Sequence, residues 1–224
     1  MSDQLIRVLV VDDHPIVIGG TRAFLEEVED IQVIGEAYNG LMAIEAFKQL
    51  KPDVTLMDLI MPKMDGIEAI RQITEEEPEA KILVLTSFIT DDKVFPAIKA
   101  GAMGFLLKDS EPQDMIDAIR NVHKGQPTLH PSIARKVLRE LGRPNADTPL
   151  PDPLTDRETE VLRLLSKGYD NQEIAEKLFV AEVTVRTHVS RILRKLQLAN
   201  RVQATLYALK KGISSLEDES NRSE

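Results

Sequence analysis

The chain has 224 residues, of which 42% are hydrophobic, and its formal net charge is -9. This length accommodates one large domain or two ordinary ones, and the absence of cysteine excludes structural disulfides and zinc sites with thiolate ligands. No apolar run approaches the roughly 18 residues of a spanning helix, and the first residues lack the pattern of a secretory signal. We therefore expect a cytoplasmic protein with no membrane partner.

The charge is unevenly distributed along the chain. Residues 1–125 contain 12 basic and 23 acidic residues, a net charge of -11, whereas residues 154–213 contain 11 and 7, a net charge of +4. An acidic front half joined to a basic segment indicates two domains with different partners.

The front half alternates short β-branched apolar runs with helical patterns. The five runs lie at residues 7–13, 31–37, 53–58, 81–87 and 104–109. Repeated strand-then-helix units predict a parallel sheet that is covered on both faces. We therefore predict a doubly wound, five-stranded α/β domain at residues 1–125, with a flavodoxin-like fold.

The pattern changes after Gly125. We predict a linker at 126–153, with one short helix at 132–141 followed by four prolines, at Pro144, Pro149, Pro151 and Pro153. Residues 154–213 are predicted to form a small all-α domain of four helices, and residues 214–224 a disordered tail. Three helix starts carry capping signals, namely Thr155 with Glu158, Asp170 with Glu173, and Asn200 with Gln203.

Polar side chains cluster at the ends of the predicted strands. In an open α/β sheet the carboxyl ends of the strands meet at one edge, where ligands bind. That edge would collect Asp12, Asp13, Asp58, Thr86 and Lys108. Clustered carboxylates attract a hard cation such as Mg2+, and a carboxylate can act as a nucleophile that forms an aspartyl phosphate. The alternative interpretation, for each Asp considered alone, is that it only caps the helix that follows it.

The third helix of the C-terminal domain has two chemically different faces. Val185, Val189, Ile192 and Leu196 recur at spacings of 4, 3 and 4 and line an apolar face. Another face carries basic and hydrogen-bonding side chains that can contact bases or phosphates in the major groove. The candidate DNA contacts are Thr184, Arg186, Thr187, Ser190, Arg191 and Arg194. An amphipathic helix with a solvated charged face would show the same periodicity.

Over residues 6–124 the motifs VLVVDDHP, LMDLIMPKMDG, VLTSF and GFLLKD resemble the receiver domains of two-component response regulators. The resemblance implies that Asp58 is the phosphoacceptor. It implies further that Asp13, Asp58 and the Ile60 carbonyl hold Mg2+, with Asp12 acting through water. Thr86 and Phe105 would then be the switch pair, and Lys108 would bind the phosphoryl group.

Residues 154–212 resemble the DNA-binding domain of the NarL/FixJ, or LuxR-type, transcription factors through LTDRETEVL, NQEIAEKL and TVRTHVSRILRKL. Together the two resemblances imply a transcription regulator controlled by phosphorylation from a sensor histidine kinase, and not a dedicated enzyme. Its partners would be double-stranded DNA and, when phosphorylated, a second copy of the chain, with RNA polymerase as a candidate partner.

Three other functions are weighed against this one. A phosphatase with an aspartyl-phosphate intermediate usually has a second Asp two residues after the nucleophile, where this chain has Ile60. A dinucleotide-binding oxidoreductase would need a G-x-G-x-x-G turn after the first strand, and the turn here reads DDHPIV. A constitutive DNA-binding protein with an inert receiver would not need the complete acidic set.

Two positions depart from the family pattern. Pro96 lies where the fourth helix should continue, which predicts a short or kinked helix because proline lacks an N–H and clashes with the preceding turn. Ala181 replaces the serine that often caps the recognition helix, so Glu182 is expected to compensate through the helix dipole.

Two predictions concern how the domains associate. The apolar stripe Val202, Leu206 and Leu209 is expected either to form a dimer contact or to pack within its own domain. The front domain is expected to mask the recognition helix until Asp58 is phosphorylated, aided by the opposite charges of the two domains.

Overall fold

The computed structural model describes residues 5–87, 91–129, 153–196, 198 and 200–214. The front part of the chain contains six strands and five helices within these residues. The strands are β1 (Ile6–Val11), β2 (Ile31–Ala37), β3 (Val54–Met57), β4 (Ile82–Thr86), β5 (Gly104–Leu107) and β6 (Thr128–Leu129). The helices are α1 (Pro15–Leu25), α2 (Gly40–Leu50), α3 (Gly66–Glu76), α4 (Asp91–Ala100) and α5 (Pro112–His123).

The strands form one parallel sheet in the order β2-β1-β3-β4-β5-β6. The five predicted strands and the doubly wound fold are confirmed, since β3 and β4 are buried throughout, as expected for strands covered on both faces. Only the two-residue β6 was not predicted, and it carries the sheet beyond the boundary expected at residue 125. The chain order reverses between β1 and β3, so a ligand site is expected beyond their carboxyl ends.

Helix α4 runs through the proline that was expected to disturb it. At 10 residues the helix is short, but it continues from Asp91 to Ala100 with Pro96 in its interior. The helix is thus continuous through Pro96, and the kink that the sequence offers as one of two alternatives stays a prediction. Because proline has no N–H, Pro96 removes the one intrahelical bond that a residue at this position would donate to the carbonyl of residue 92.

The second domain has its own helices and its own core. Its helices are α6 (Asp156–Ser166), α7 (Asn171–Leu178), α8 (Glu182–Leu196) and α9 (Arg201–Lys210). The core is built from buried residues of all four helices, Val161, Leu162, Leu165, Ile174, Ala175, Val185, Ile192, Leu196, Ala204 and Ala208. The predicted capping boxes at Thr155 and Asp170 are both formed, and Asn200 caps α9 by accepting from the Gln203 backbone N–H.

A buried ion pair joins α6 to α8 inside this domain. The Lys195 ammonium lies 2.9 Å from the Glu158 carboxylate, and the two side chains are 13% and 4% exposed. Burial by itself would raise the pKa of Glu158, but hydrogen bonds from Thr155 and Lys195 outweigh it and the pKa is lowered. The capping carboxylate therefore stays ionised and holds the start of α6 against α8.

Helix α9 packs on both domains. Val202 and Leu206 are 1% and 6% exposed and belong to the hydrophobic cluster of the front domain, whereas Ala204 and Ala208 belong to the core of the second domain. The expectation that the stripe packs only within its own domain is therefore wrong for Val202 and Leu206.

Several expectations concern residues outside the described ranges. These are the helix at 132–141, most of the linker and the tail from residue 215 onward. In the described part of the chain, no helix combines the length and the apolar character needed to cross a bilayer.

Candidate functional site

Asp58 follows β3 at the carboxyl edge of the sheet, where the residue is only 5% exposed. One carboxylate oxygen accepts a hydrogen bond from the Leu59 backbone N–H at 2.8 Å. Helix α3 begins directly against this segment, and a Cβ atom on Gly66 would collide with the Asp58 carbonyl oxygen. Glycine at position 66 therefore lets the chain turn back over Asp58 and hold its backbone in place.

Lys108 links two of the predicted acids from the end of β5. Its ammonium lies 2.6 Å from Asp12 Oδ2 and 3.1 Å from Asp58 Oδ2. The Lys108 backbone N–H donates to the Thr86 carbonyl at 2.9 Å, which ties the lysine to β4. The structure thus brings Asp12, Asp58 and Lys108 together as the sequence predicts.

The charges in this cluster shift one another's ionisation. Burial raises the pKa of Asp58, the nearby Lys108 opposes this effect, the carboxylate of Asp12 adds to it, and the net pKa is raised. Burial alone would lower the pKa of Lys108, but its contacts with Asp12 and Asp58 outweigh burial and the net pKa is raised. Lys108 therefore remains a cation placed to neutralise negative charge on Asp58.

The acidic group can accommodate a divalent metal ion. One ligand atom from each of Asp12, Asp13, His14 and Asp58 lies within 4.8 Å of all the others. Asp12 Oδ2 and Asp13 Oδ1 are buried and have no well-aligned hydrogen bond within the described residues, although Lys108 and His14 lie close to them. A cluster rich in carboxylate oxygens with unused acceptor capacity fits a hard cation.

His14 is closer to this cluster than the sequence indicates. Its Nδ1 lies 2.8 Å from Asp13 Oδ1 and 3.2 Å from Asp12 Oδ1, and its backbone N–H donates to Asp12 Oδ1 at 2.9 Å. The only signal in the sequence is its place between the two acids and Pro15, and a residue at a helix start is most simply explained by local structure.

The remaining predicted residues of the front domain lie around this edge. Thr86 ends β4 and is almost fully buried, and Phe105 on the adjacent β5 is completely buried. Ile60 lies two residues after Asp58 and is 58% exposed. The roles of Thr86 and Phe105 as switch residues and of the Ile60 carbonyl as a metal ligand stay predictions.

We expect Asp58→Asn to raise the stability of the metal-free protein at neutral pH. The pKa of Asp58 is raised in the folded state, so the folded protein binds the proton more tightly than the unfolded chain does. This contributes to stability below the normal carboxyl pKa, and the contribution is lost as the pH rises through the raised pKa of the folded state. Asparagine removes this loss. Urea unfolding across this pH range in the presence of a chelator measures the difference in free energy of unfolding between the variant and the wild type. A variant that is less stable than the wild type at neutral pH would contradict the expectation that the buried Asp58 charge is unfavourable.

Helix α8 presents the predicted contact face to solvent. Val185, Ile192 and Leu196 are buried and Val189 is half-buried, which confirms the apolar face. Five of the six predicted contact residues are exposed and line a shallow groove along the helix, namely Arg186, Thr187, Ser190, Arg191 and Arg194. Thr184 is half-buried and lies outside this groove.

The first turn of α8 faces the front domain across a polar cleft. Glu182 and Arg186 form an ion pair at 2.7 Å, and both line this cleft together with Lys81, His123 and Lys124 of the front domain. The front domain thus stands beside the first turn of α8, while the side chains of the contact face itself remain exposed. Masking of α8 stays a prediction.

Two protein-family models match the chain. The model described as response regulator receiver domain matches residues 8–120. The model described as bacterial regulatory proteins, luxR family, matches residues 152–208. The first match contains the whole acidic edge of the sheet, and the second contains α6, α7 and α8.

Curated proteins match over nearly the full length. The transcriptional regulatory protein LiaR of Bacillus subtilis (strain 168) is 50% identical over 205 residues, which cover 91% of this chain and 97% of that protein. The response regulator protein VraR of Staphylococcus aureus (strain COL) is 43% identical over 203 residues, which cover 91% of this chain and 96% of that protein.

Solved structures match both domains together. The structure of two RcsB dimers bound to two parallel DNAs is 31% identical and covers 92% of this chain and 98% of the RcsB chain, with a TM-score of 0.55. The arrangement of a sheet domain followed by a helical domain is therefore shared with proteins of known structure.

Proposed function

Because this chain belongs to the response regulators that join a receiver domain to a LuxR-type DNA-binding domain, and is thus a phosphorylation-controlled transcription regulator, we propose that Asp58 accepts the phosphoryl group. The observation that carries the proposal is the contact of Lys108 with both Asp12 and Asp58 at a buried, acidic sheet edge. The domain boundaries predicted at 125 and 154 remain part of the proposal.

The transfer needs a nucleophile and groups that neutralise charge. The phosphoryl donor is proposed to be a phosphohistidine of a sensor histidine kinase, so that the P–N bond breaks as a bond forms between phosphorus and a carboxylate oxygen of Asp58. Lys108 and the Thr86 hydroxyl would bind the transferred oxygens. Asp12, Asp13, Asp58 and the Ile60 carbonyl would hold Mg2+, which when bound offsets the negative charge of the phosphoryl oxygens.

The acquired negative charge would then be sensed by the residues that line the site. Thr86 and Phe105 are proposed as the switch pair, because they lie on the adjacent strands β4 and β5, whose carboxyl ends are at the same edge of the sheet as Asp58. The output would be a change in dimerisation and DNA binding, as the DNA-bound RcsB dimers suggest for a relative. RNA polymerase is proposed as a further partner, and the DNA target would place the protein in the bacterial cytoplasm.

Specific DNA binding should depend on the exposed arginines of α8. Arg186→Ala and Arg191→Ala should each weaken specific binding by about 1–3 kcal/mol if the arginine reads a base. Titration of operator DNA by the phosphorylated protein measures this loss. The matched control is Arg71→Ala, which removes an arginine of the receiver helix α3 that pairs with Glu68 and Glu75. Wild-type affinity in both α8 variants would contradict the assignment of the face.

The phosphorylated state should be long-lived, because the apolar and exposed Ile60 side chain flanks the path of an attacking water. Phe88 is expected to flank the same path on the basis of the sequence, and it lies outside the described residues. Ile60→Ala should shorten the lifetime of the phosphorylated protein severalfold, measured as loss of label after removal of acetyl phosphate. A lifetime of seconds for the wild-type protein would contradict this steric effect.

A further inference from the structure

An apolar side chain lies among the polar side chains of the groove along α8. Val183 is the second residue of this helix, and it lines the groove together with Arg186, Thr187 and Ser190. It is 68% exposed, whereas Val185 on the other side of the helix is fully buried in the core of the domain. Val183 is therefore part of the contact face and not of the core face.

The polar groups one turn away from Val183 already have partners within α8. The Arg186 guanidinium lies 2.7 Å from the Glu182 carboxylate, and the Thr187 hydroxyl donates to the Val183 carbonyl at 2.9 Å. A hydroxyl has a single hydrogen to donate, so Thr187 retains its acceptor lone pairs and its methyl group for other contacts. The first two turns of α8 thus offer apolar surface beside an arginine.

The start of α8 presents Val183 to the groove in place of its neighbour. Thr184, which the sequence predicts as the first contact residue, is half-buried and lies outside the groove. Neighbouring residues of an α-helix point about 100° apart, so these two side chains cannot lie on the same face. The N-terminal residues of a recognition helix are those that reach the base edges, which makes the side chain at position 183 important for base recognition.

Thymine offers a matching apolar group in the major groove. Its C5 methyl group projects into the groove, where the other bases present hydrogen-bond donors and acceptors. The isopropyl group of Val183 can neither donate nor accept a hydrogen bond. It can, however, remove a methyl group from water together with its own exposed surface, and this burial is favourable. The methyl group is therefore the feature of a base edge that this side chain can recognise.

We propose that Val183 is a specificity-determining residue of α8 that contacts the C5 methyl group of a thymine in the DNA target. The inference deepens the proposed function, because it rests on α8 being the helix that enters the major groove. In this arrangement the arginines of the groove contact phosphates or hydrogen-bonding base edges, and Val183 adds a preference for thymine at one base pair.

The test compares thymine with uracil, which differs from thymine only in lacking the C5 methyl group. Duplexes are selected from a random-sequence pool by the full chain after treatment with acetyl phosphate and Mg2+. A selected duplex is then synthesised with uracil in place of each thymine in turn. At the position that Val183 contacts, uracil should lower the affinity of the phosphorylated wild type roughly fourfold, as expected when one methyl group is no longer buried.

Substitutions of Val183 assign this effect to its side chain. Val183→Ser lacks both methyl groups, so it should bind the thymine and uracil forms equally, with the affinity that the wild type has for the uracil form. Equal binding of the uracil form also shows that the domain is still folded. Val183→Ile keeps a branched apolar side chain and should keep the preference for thymine. The matched control is Leu41→Ser, which changes an exposed leucine of α2 and should also keep it.

The outcomes separate this role from the proposed function. A thymine preference in Val183→Ser that equals that of the wild type at every position would overturn the role of Val183, as would a wild type that no uracil substitution weakens. If the phosphorylated wild type enriches no duplex from the pool, the proposed function fails together with this role. Enrichment of duplexes without any effect of uracil removes only the role of Val183.

Discussion

Asp58→Asn should abolish labelling of the protein by acetyl phosphate in the presence of Mg2+. The amide has nearly the shape of the carboxylate but is a far weaker nucleophile, so the site keeps its packing and loses its chemistry. Lys108 would still contact Asp12, and the Leu59 N–H could still donate to the side-chain oxygen. We therefore expect label at the background level in a protein that remains folded.

The control for this substitution is Asp109→Asn. Asp109 follows Lys108 directly, but its side chain is exposed, so its replacement should leave labelling at the wild-type level. Labelling of Asp58→Asn at the wild-type level would remove Asp58 from the proposed role.

A fragment that begins near Thr148 should bind operator DNA without any phosphoryl group. It contains all four helices of the second domain and the core that they form, and it lacks only the receiver residues that cover Val202 and Leu206. Against the same DNA, the unphosphorylated full chain should bind more weakly by about tenfold or more, or at least 1.4 kcal/mol. The affinity of the fragment should fall with salt at a slope of about -0.9 per phosphate contacted.

The opposite charges of the two domains contribute only part of this restraint. A receiver of net charge -11 attracts a segment of net charge +4, but over a screening length of about 8 Å in physiological salt the attraction is modest. Specific contacts, such as those of α9 with α4, must supply the rest. Equal affinities of the fragment and the unphosphorylated chain would show that the receiver does not restrain DNA binding, leaving phosphorylation to act through dimerisation.

The parts of the structure that depend on local sequence were predictable. The β-branched runs identified the five strands because a strand that is covered on both faces must be apolar almost throughout. The pairs at Thr155 and Asp170 identified the starts of α6 and α7, because a capping box needs only residues three positions apart. The sequence predicted that Asp12, Asp58 and Lys108 lie close together, because the carboxyl ends of parallel strands meet at one edge of the sheet.

Features that depend on close approach in three dimensions were not predictable. The collision that any side chain at Gly66 would make with the Asp58 carbonyl depends on the angle at which α3 leaves the sheet. The approach of His14 to both neighbouring acids depends on a rotamer. At Pro96 a local rule predicts a short or kinked helix, and the 10-residue α4 continues through the proline because packing against its neighbours, which the local rule ignores, also determines whether a helix forms.

Helix α9 shows why the sequence alone does not identify the surface that an apolar stripe contacts. Periodicity indicates that Val202 and Leu206 are covered, but it does not say by what. The structure covers them with the receiver, which is neither the second copy nor the home domain that the sequence suggested. Gln203 has the spacing of a capping-box residue, yet its amide reaches the Ile98 carbonyl of the receiver.

The most direct test of the account compares the genomic DNA captured by two proteins, wild type and Asp58→Asn, each treated with acetyl phosphate and Mg2+. If phosphorylation of Asp58 controls DNA binding, phosphorylated wild type enriches a defined set of fragments, and Asp58→Asn captures these fragments no better than untreated wild type does. Capture of the same fragments in the same amounts by wild type and Asp58→Asn would contradict control of DNA binding through Asp58.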